Sequence, residues 1–188
     1  MGTNDKADKG ITAGVISEFD RFLAKKGLTF QGVIVGAAPL ILLDIIDRRT
    51  KDCDVLDPMI TDEIKRASVE FARRKSEEGH DLPENWLNNG PASLKEILPE
   101  GWRAGTRVVY EGKALTLLTL GRLDLLRAKL FGYCDRGTDL DDCVALRPTR
   151  EELEEVIEWV KEQDTNPKWP KHVEEQFRFL EERLGVRE

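Results

Sequence analysis

The chain has 188 residues, of which 40% are hydrophobic and 35% charged, with a formal net charge of −7. That length suits one domain, or one domain with an appendage, and the composition supports a real core beneath a solvated, helix-rich surface. The negative balance excludes a general coat of nucleic acid, because backbone binding needs an excess of Lys and Arg; no general DNA binding is expected, although a local basic patch still suits an NTP or an RNA end.

Residues 1–10 are polar and are expected to form a disordered tail. Apolar residues at Ile11, Val15, Ile16, Phe19, Phe22 and Leu23 repeat at helical spacing and predict a helix over 11–26 that Gly27 ends. Phe30 to Val35 predicts a buried strand closed by Gly36. The apolar run from Ala37 to Ile46 predicts a buried helix, with Pro39 tolerated in its first turn. Lys51 to Leu56 predicts a second strand, stopped by Asp57-Pro58. Thr61 caps a helix reaching about Glu78. The Gly-, Pro- and Asn-rich stretch 79–105 predicts short pieces at Trp86-Leu87 and at Ser93 to Leu98.

Thr106 to Glu111 and Ala114 to Leu118 predict a β-hairpin turning at Gly112-Lys113. Leucines at 120, 123, 126 and 130 predict a helix to Tyr133, broken by Asp135-Arg136-Gly137. Asp139 to Leu146 predicts a short acidic helix. Thr149 and Glu152 read as a capping box for a helix to Glu162, and residues 171–184 predict a final helix stopped by Gly185. Trp159, Trp169, Phe177 and Phe179 are expected to pack. The fold class expected is α+β: a small mixed β-sheet flanked by helices, with a C-terminal helical part. The expected organisation is a tail over 1–10, an α/β core over 11–118 and a helical part over 119–188.

No apolar run approaches the ~20 residues that span a bilayer, and the opening MGTNDKADKG lacks a signal-peptide core. Cys53, Cys134 and Cys143 form no CxxC pair, and His80 and His172 have no metal-site neighbours in sequence. A disulfide framework and a zinc site are therefore not expected, and a cytoplasmic, reducing setting is.

The chemistry gathers in three places. Asp52 and Asp54 lie at i and i+2, so on an extended strand both carboxylates project to one side. Hard carboxylate oxygens suit Mg²⁺, and one or two such ions can clamp a phosphoryl displacement. Arg48, Arg49 and Lys51 lie beside the pair. Gly36 permits a positive φ and close approach of backbone to a phosphate. Lys129 sits on an apolar helix face, where it must reach the surface or pair with an acid; Arg136, Asp139 and Asp142 follow it. The plainer alternatives are a solvated strand end, an ordinary strand-to-helix turn and a salt-bridge cluster in a helix–turn–helix.

VGAAPL, RRTKDCDVL and LLRAKLFGYCDRGTDLDD together resemble the minimal nucleotidyltransferases related to DNA polymerase beta, nearest to bacterial proteins of the AbiEii toxin type. Order and spacing agree over about residues 30–146. The resemblance implies a nucleotidyltransferase-like sheet and a Mg²⁺-dependent transfer of an NMP from an NTP to an RNA end, a protein hydroxyl or a small molecule. It implies that Gly36 and Ala37 cradle the triphosphate and that Asp52 and Asp54 hold metal. Lys129, with Arg49 and Arg136, would contact the nucleotide, and Asp139 and Asp142 would form the late acidic motif that orients or deprotonates the acceptor. A toxin–antitoxin or defence setting, with an antitoxin partner, is implied likewise. The chain departs from the pattern at Ala37, where relatives carry Gly or Ser, at Thr138, where Lys is frequent, and in a hairpin whose only carboxylate is Glu111. Two other functions are open: a catalytically inactive nucleotidyltransferase-like binding or assembly domain, and a helical interaction protein with an incidental DxD.

Overall fold

The computed structural model of the protein describes residues 10–185. The element order is α1 (Ala13–Lys25), β1 (Phe30–Val35), α2 (Ala38–Leu42), β2 (Cys53–Asp57), α3 (Asp62–Glu77), β3 (Leu87–Asn88), α4 (Leu94–Ile97), β4 (Arg107–Glu111), β5 (Leu115–Thr119), α5 (Arg122–Arg136), α6 (Leu140–Ala145), α7 (Arg150–Lys161) and α8 (Trp169–Leu184). A turn of 3-10 helix covers Trp102–Gly105. The class is α+β, with a mixed sheet in the order β3-β2-β1-β5-β4. β1 runs antiparallel to β2 and parallel to β5, β2 is parallel to β3, and β4 is antiparallel to β5. No helix among the described residues is long and apolar enough to cross a membrane.

The chain divides into two compact units: residues up to Lys95 with Thr106–Thr119, and Glu96–Gly105 with the chain from Leu120 on. The first unit holds the sheet, α1 and α3. Its core is aromatic: Phe19 lies 5.0 Å from Trp86 and 5.2 Å from Phe71, ring centre to ring centre, and Phe22 lies 5.5 Å from Phe71. Burying each such ring contributes about 1.5–3 kcal/mol. Trp86 is fully buried, and its indole N–H donates to the Ser68 carbonyl at 3.1 Å, so the burial strands no polar atom.

Local signals account for most helix ends. The Thr12 hydroxyl accepts from Val15 N–H and the Thr61 hydroxyl from Ile64 N–H, which fixes the starts of α1 and α3. Helix α1 thus begins at Ala13, and Ile11, expected within it, instead forms an antiparallel bridge to Thr50. Gly10, expected in the tail, is buried; the rest of that expected tail, residues 1–9, lies outside the described residues. The helix expected over 37–46 is cut to five residues. Asp44 turns left-handed at φ 55°, Asp44 N–H donates to Ile41 O, and Ile45 N–H donates to Leu40 O. This is a Schellman end with Asp in the glycine place; a short polar side chain tolerates that conformation.

The hairpin forms, but its two-residue turn is Lys113-Ala114, one position later than expected, because Gly112 N–H still donates to Leu115 O. The cause sits 93 residues earlier. The buried carboxylate of Asp20 on α1 accepts from the amides of Lys113 at 3.2 Å, Ala114 at 2.7 Å and Leu115 at 2.8 Å. A Cβ at Gly112 would lie 2.5 Å from Asp20 Oδ1, so only glycine lets the turn sit on that carboxylate. Burial pushes the Asp20 carboxyl up, but the three amides and Arg21 more than offset it, and the group is held below the ordinary carboxylate range.

The second unit is helical. Thr149 and Glu152 form the reciprocal capping box at the head of α7. Helix α8 begins at Trp169, two residues before its expected start, since Pro170 is acceptable in a first turn. Trp169 is buried, and its indole N–H donates to Val160 O at 2.8 Å. Phe131 lies edge-on to Trp159 and Trp169, at 6.3 and 6.2 Å. Phe177 is buried on α8, whereas Phe179, expected to pack, is 47% exposed because it falls on the opposite side of that helix.

Candidate functional site

Strand β2 begins at Cys53, so Asp52 directly precedes it and Asp54 lies within it. The strand alternation holds: Cys53 and Val55 enter the core, while Asp52 is exposed and Asp54 half-buried. Both carboxylates therefore leave the strand on the side away from Cys53, as the i, i+2 spacing predicts. Burial of Cys53, reinforced by Asp54 and then Asp52, raises its thiol far above the ordinary value. A thiol so held stays protonated and is no nucleophile.

Asp54 pairs in register with Val35, the last residue of β1, and Gly36 follows at once. Gly36 adopts φ +81°, and a Cβ there would fall 2.9 Å from Asp54 Oδ2. Glycine is needed twice over: for the left-handed turn, and to leave room for the carboxylate. Ala37 is the N-cap of α2 and gives no side-chain cap, so no hydroxyl stands where the resemblance leads one to expect Gly or Ser.

Asp52 is oriented from behind. Thr50 Oγ1 donates to Asp52 Oδ1 at 2.9 Å, and Thr50 is itself buried. The Ile11 amide donates to Thr50 O at 2.7 Å. Arg48 and Arg49 are exposed in the segment leading into Thr50, and Lys51 pairs with Asp81 at 3.5 Å.

Glu111 stands apart from this pair. It lies opposite Thr116, which pairs with Gln31, whereas Asp54 pairs with Val35. Four residues of β1 separate those levels, about 13 Å at the usual rise per residue. At the Asp54 end the hairpin supplies Thr119, whose hydroxyl donates to Ile34 O at 3.2 Å. Among the described residues no group of three or more His, Cys, Asp or Glu is placed to hold a metal ion. A cage built wholly of protein groups is thus absent from them. Mg²⁺ is commonly bound by one or two carboxylates, with water and substrate phosphates completing the shell, and Asp52 and Asp54 fit that smaller donor set.

The other predicted residues form their own cluster in the second unit. Gly137, in the left-handed conformation, ends α5, and Asp139 at φ 71° is the N-cap of α6. This tight turn folds α6 back onto α5. Lys129 Nζ then lies 2.6 Å from Asp142 Oδ2 and 3.0 Å from Asp139 Oδ1. Arg136 Nη2 reaches Asp139 Oδ2 at 3.4 Å. Lys129 is 4% exposed and Asp142 1%. The lysine takes the second of its two options and pairs with acid instead of reaching water. Arg136 Nη1 also lies 3.7 Å from Asp135 Oδ2, so the two cations of the cluster face three carboxylates. Gly132 makes room for it: a Cβ there would lie 2.5 Å from Arg136 Nη2.

Gly36 and Asp54 are thus brought together, as are Lys129, Arg136, Asp139 and Asp142. Thr50 is the threonine of the T-x-D-x-D pattern within RRTKDCDVL, the strongest part of the resemblance, but sequence reasoning assigned it no role of its own. Gly10-Ile11 and Gly132 carried no comparable local mark.

Neither the curated proteins nor the solved structures gave a match to the chain. The family model described as nucleotidyltransferase of unknown function (DUF6036) matches residues 13–159. That span runs from the first helix through both carboxylate clusters and into α7, and the chain accordingly belongs to this nucleotidyltransferase family.

Proposed function

We propose that this chain transfers a nucleoside monophosphate from an NTP to an acceptor hydroxyl, using the end of the sheet where Gly36 meets Asp54. The observation that carries the reading is that meeting: a left-handed glycine whose missing Cβ leaves space for a carboxylate, on the strand face that Asp52 shares. Family membership supports the same reaction class. The acceptor oxygen bonds to the α-phosphorus, the α–β anhydride bond breaks, pyrophosphate leaves, and the acceptor proton passes to solvent or to a nearby base. Asp52 and Asp54 are the residues that would hold Mg²⁺, and Gly36 lets backbone approach the phosphates. A bound Mg²⁺ would offset charge on the phosphate oxygens. Arg49, exposed beside the pair, is assigned to the nucleotide.

The resemblance gives Lys129 and Arg136 phosphate contacts and gives Asp139 and Asp142 an acceptor-side role. For Lys129 and Asp142 the geometry favours another assignment. A lysine already shared by two carboxylates has little charge to offer, and a carboxylate 1% exposed cannot meet an acceptor. We assign the Lys129–Asp142 pair to holding α5 against α6; Asp139 and the exposed Arg136 keep the roles that the resemblance gives them.

An RNA end, a protein hydroxyl and a small molecule all suit the acceptor. A toxin–antitoxin or defence setting, with an antitoxin partner, rests on the resemblance alone. A second reading, nucleotide binding without transfer, is favoured by Ala37 and by a hairpin that adds no third carboxylate at the Asp54 end. One comparison separates the two. Wild type and Asp54→Ala are incubated with Mg²⁺, each labelled NTP in turn, and total tRNA or cell lysate. Label transferred by wild type alone supports catalysis. No product, but a raised melting temperature with Mg²⁺-NTP, selects the binding reading. No response of wild type to any NTP removes both.

A further inference from the structure

We propose that Thr50 is a positioning residue for Asp52, and that the segment Gly10-Ile11 is the strap that holds Thr50 in place. The inference rests on the reading of Asp52 and Asp54 as the metal-holding pair. It begins with a chain of hydrogen bonds that crosses 70 residues of sequence. His80 Nε2 lies 3.0 Å from the Gly10 carbonyl, an acceptor, which places the ring proton on that nitrogen. Gly10 N–H donates to Asp81 O at 3.3 Å, so the strap is gripped from both sides. Ile11 N–H then donates to Thr50 O at 2.7 Å, and Thr50 Oγ1 donates to Asp52 Oδ1 at 2.9 Å.

The packing along this path is close. Ile11 is 1% exposed, and His80 and Thr50 are also buried. Gly10 has φ +90°, and a Cβ there would lie 2.5 Å from Thr50 O, so no other residue lets the strap reach that carbonyl unstrained. Such effort is disproportionate for a solvated strand end. Asp52 precedes β2 and has no ladder partner within it to fix its direction. Thr50 supplies that constraint. With one carboxylate oxygen engaged by the hydroxyl, the other is left to a cation, in the manner of outer groups that orient metal-ligating carboxylates.

The test uses Mn²⁺ as the probe, titrated against the full chain in the presence of a non-hydrolysable NTP analogue and followed by electron paramagnetic resonance. Thr50→Val removes the hydroxyl and keeps the shape. It is expected to weaken Mn²⁺ binding about 10- to 100-fold, the usual cost of losing an outer-shell partner, while Thr50→Ser restores it. Gly10→Ala, which displaces the strap, is expected to weaken Mn²⁺ in the same direction. In an Asp52→Asn background, Thr50→Val should add no further loss, because its effect passes through that carboxylate. This background also guards against a merely unstable Thr50→Val chain, whose loss would add. Wild-type Mn²⁺ affinity in Thr50→Val, or an additive loss in the Asp52→Asn background, would overturn the role of Thr50. Unchanged affinity in Gly10→Ala would overturn that of the strap. If Asp52→Asn itself binds Mn²⁺ like wild type, the pair is no metal site, and the underlying reading fails separately.

Discussion

The two carboxylate clusters contain the same residue type and differ in almost everything else. Asp52 and Asp54 stand at the start of an inner strand, at one end of the sheet, exposed and half-buried, beside a glycine turn and a threonine hydroxyl. Asp139 and Asp142 enclose a buried lysine within one helical turn-back. The first pair lies within reach of a ligand from solvent. The second closes on a buried cation, which suits it to holding the fold. The resemblance groups both clusters under one activity; burial and pairing separate their physical roles.

That separation can be broken by mutation, most sharply at Asp54. Asp54→Asn should reduce nucleotidyl transfer on the order of a thousand-fold, the upper range for losing an electrostatic contribution to catalysis, while the melting temperature barely moves. Lys129→Ala should do the reverse. It takes the Lys129 ammonium away from the buried Asp142 carboxylate, at a cost of about 3–5 kcal/mol in denaturant unfolding. Replacing both, as Lys129→Met with Asp142→Leu, should recover much of that loss. If Lys129→Met/Asp142→Leu is stable yet inactive, the second cluster has a chemical role after all.

Asp20 offers a third arrangement, an anion held by backbone amides with no lysine partner. Asp20→Asn should cost about 2 kcal/mol, since hydrogen bonds to a charged group are lost. It should also flatten the acid limb of the stability profile. The sign follows from a folded-state pKa held below the ordinary value of 3.8: the unfolded chain binds the proton more readily. Wild-type stabilisation from this group is therefore complete above the ordinary value and is lost as pH falls through the depressed one. Urea melts over the acidic range, wild type against Asp20→Asn, measure the difference. A smaller stability effect is expected at Gly36. Gly36→Ala forces a side chain into φ +81° and against Asp54 Oδ2, costing about 1–2 kcal/mol. Transfer should fall by more than that loss explains, because the displaced group is the carboxylate itself.

The elements were legible where their signals are local. Thr61 and the Thr149–Glu152 box mark helix starts, Gly27 and Gly185 mark ends, and alternation about Cys53 marks β2. The length of α2 was misread because its apolar run continues past Asp44, and only the left-handed turn there shows the stop. The hairpin register shifted because its turn is fixed by Asp20, which in sequence is an ordinary helix carboxylate. Phe179 was misassigned because an aromatic on a helix does not declare which face is covered.

For the site, the sequence by itself determined that Asp52 and Asp54 share a strand face, that Gly36 turns the chain beside them, and that Lys129 needs an acid or water. These follow from strand period, backbone sterics and the cost of a buried charge, each set within a few residues. The tertiary structure alone decided that both Asp139 and Asp142 meet Lys129, that Thr50 directs Asp52, and that Gly10, Ile11 and His80 stand behind Thr50. The physical reason is that hydrogen bonds and ion pairs between distant segments depend on where the backbone folds back. A side chain that will be buried and paired carries the same letter as one left in water.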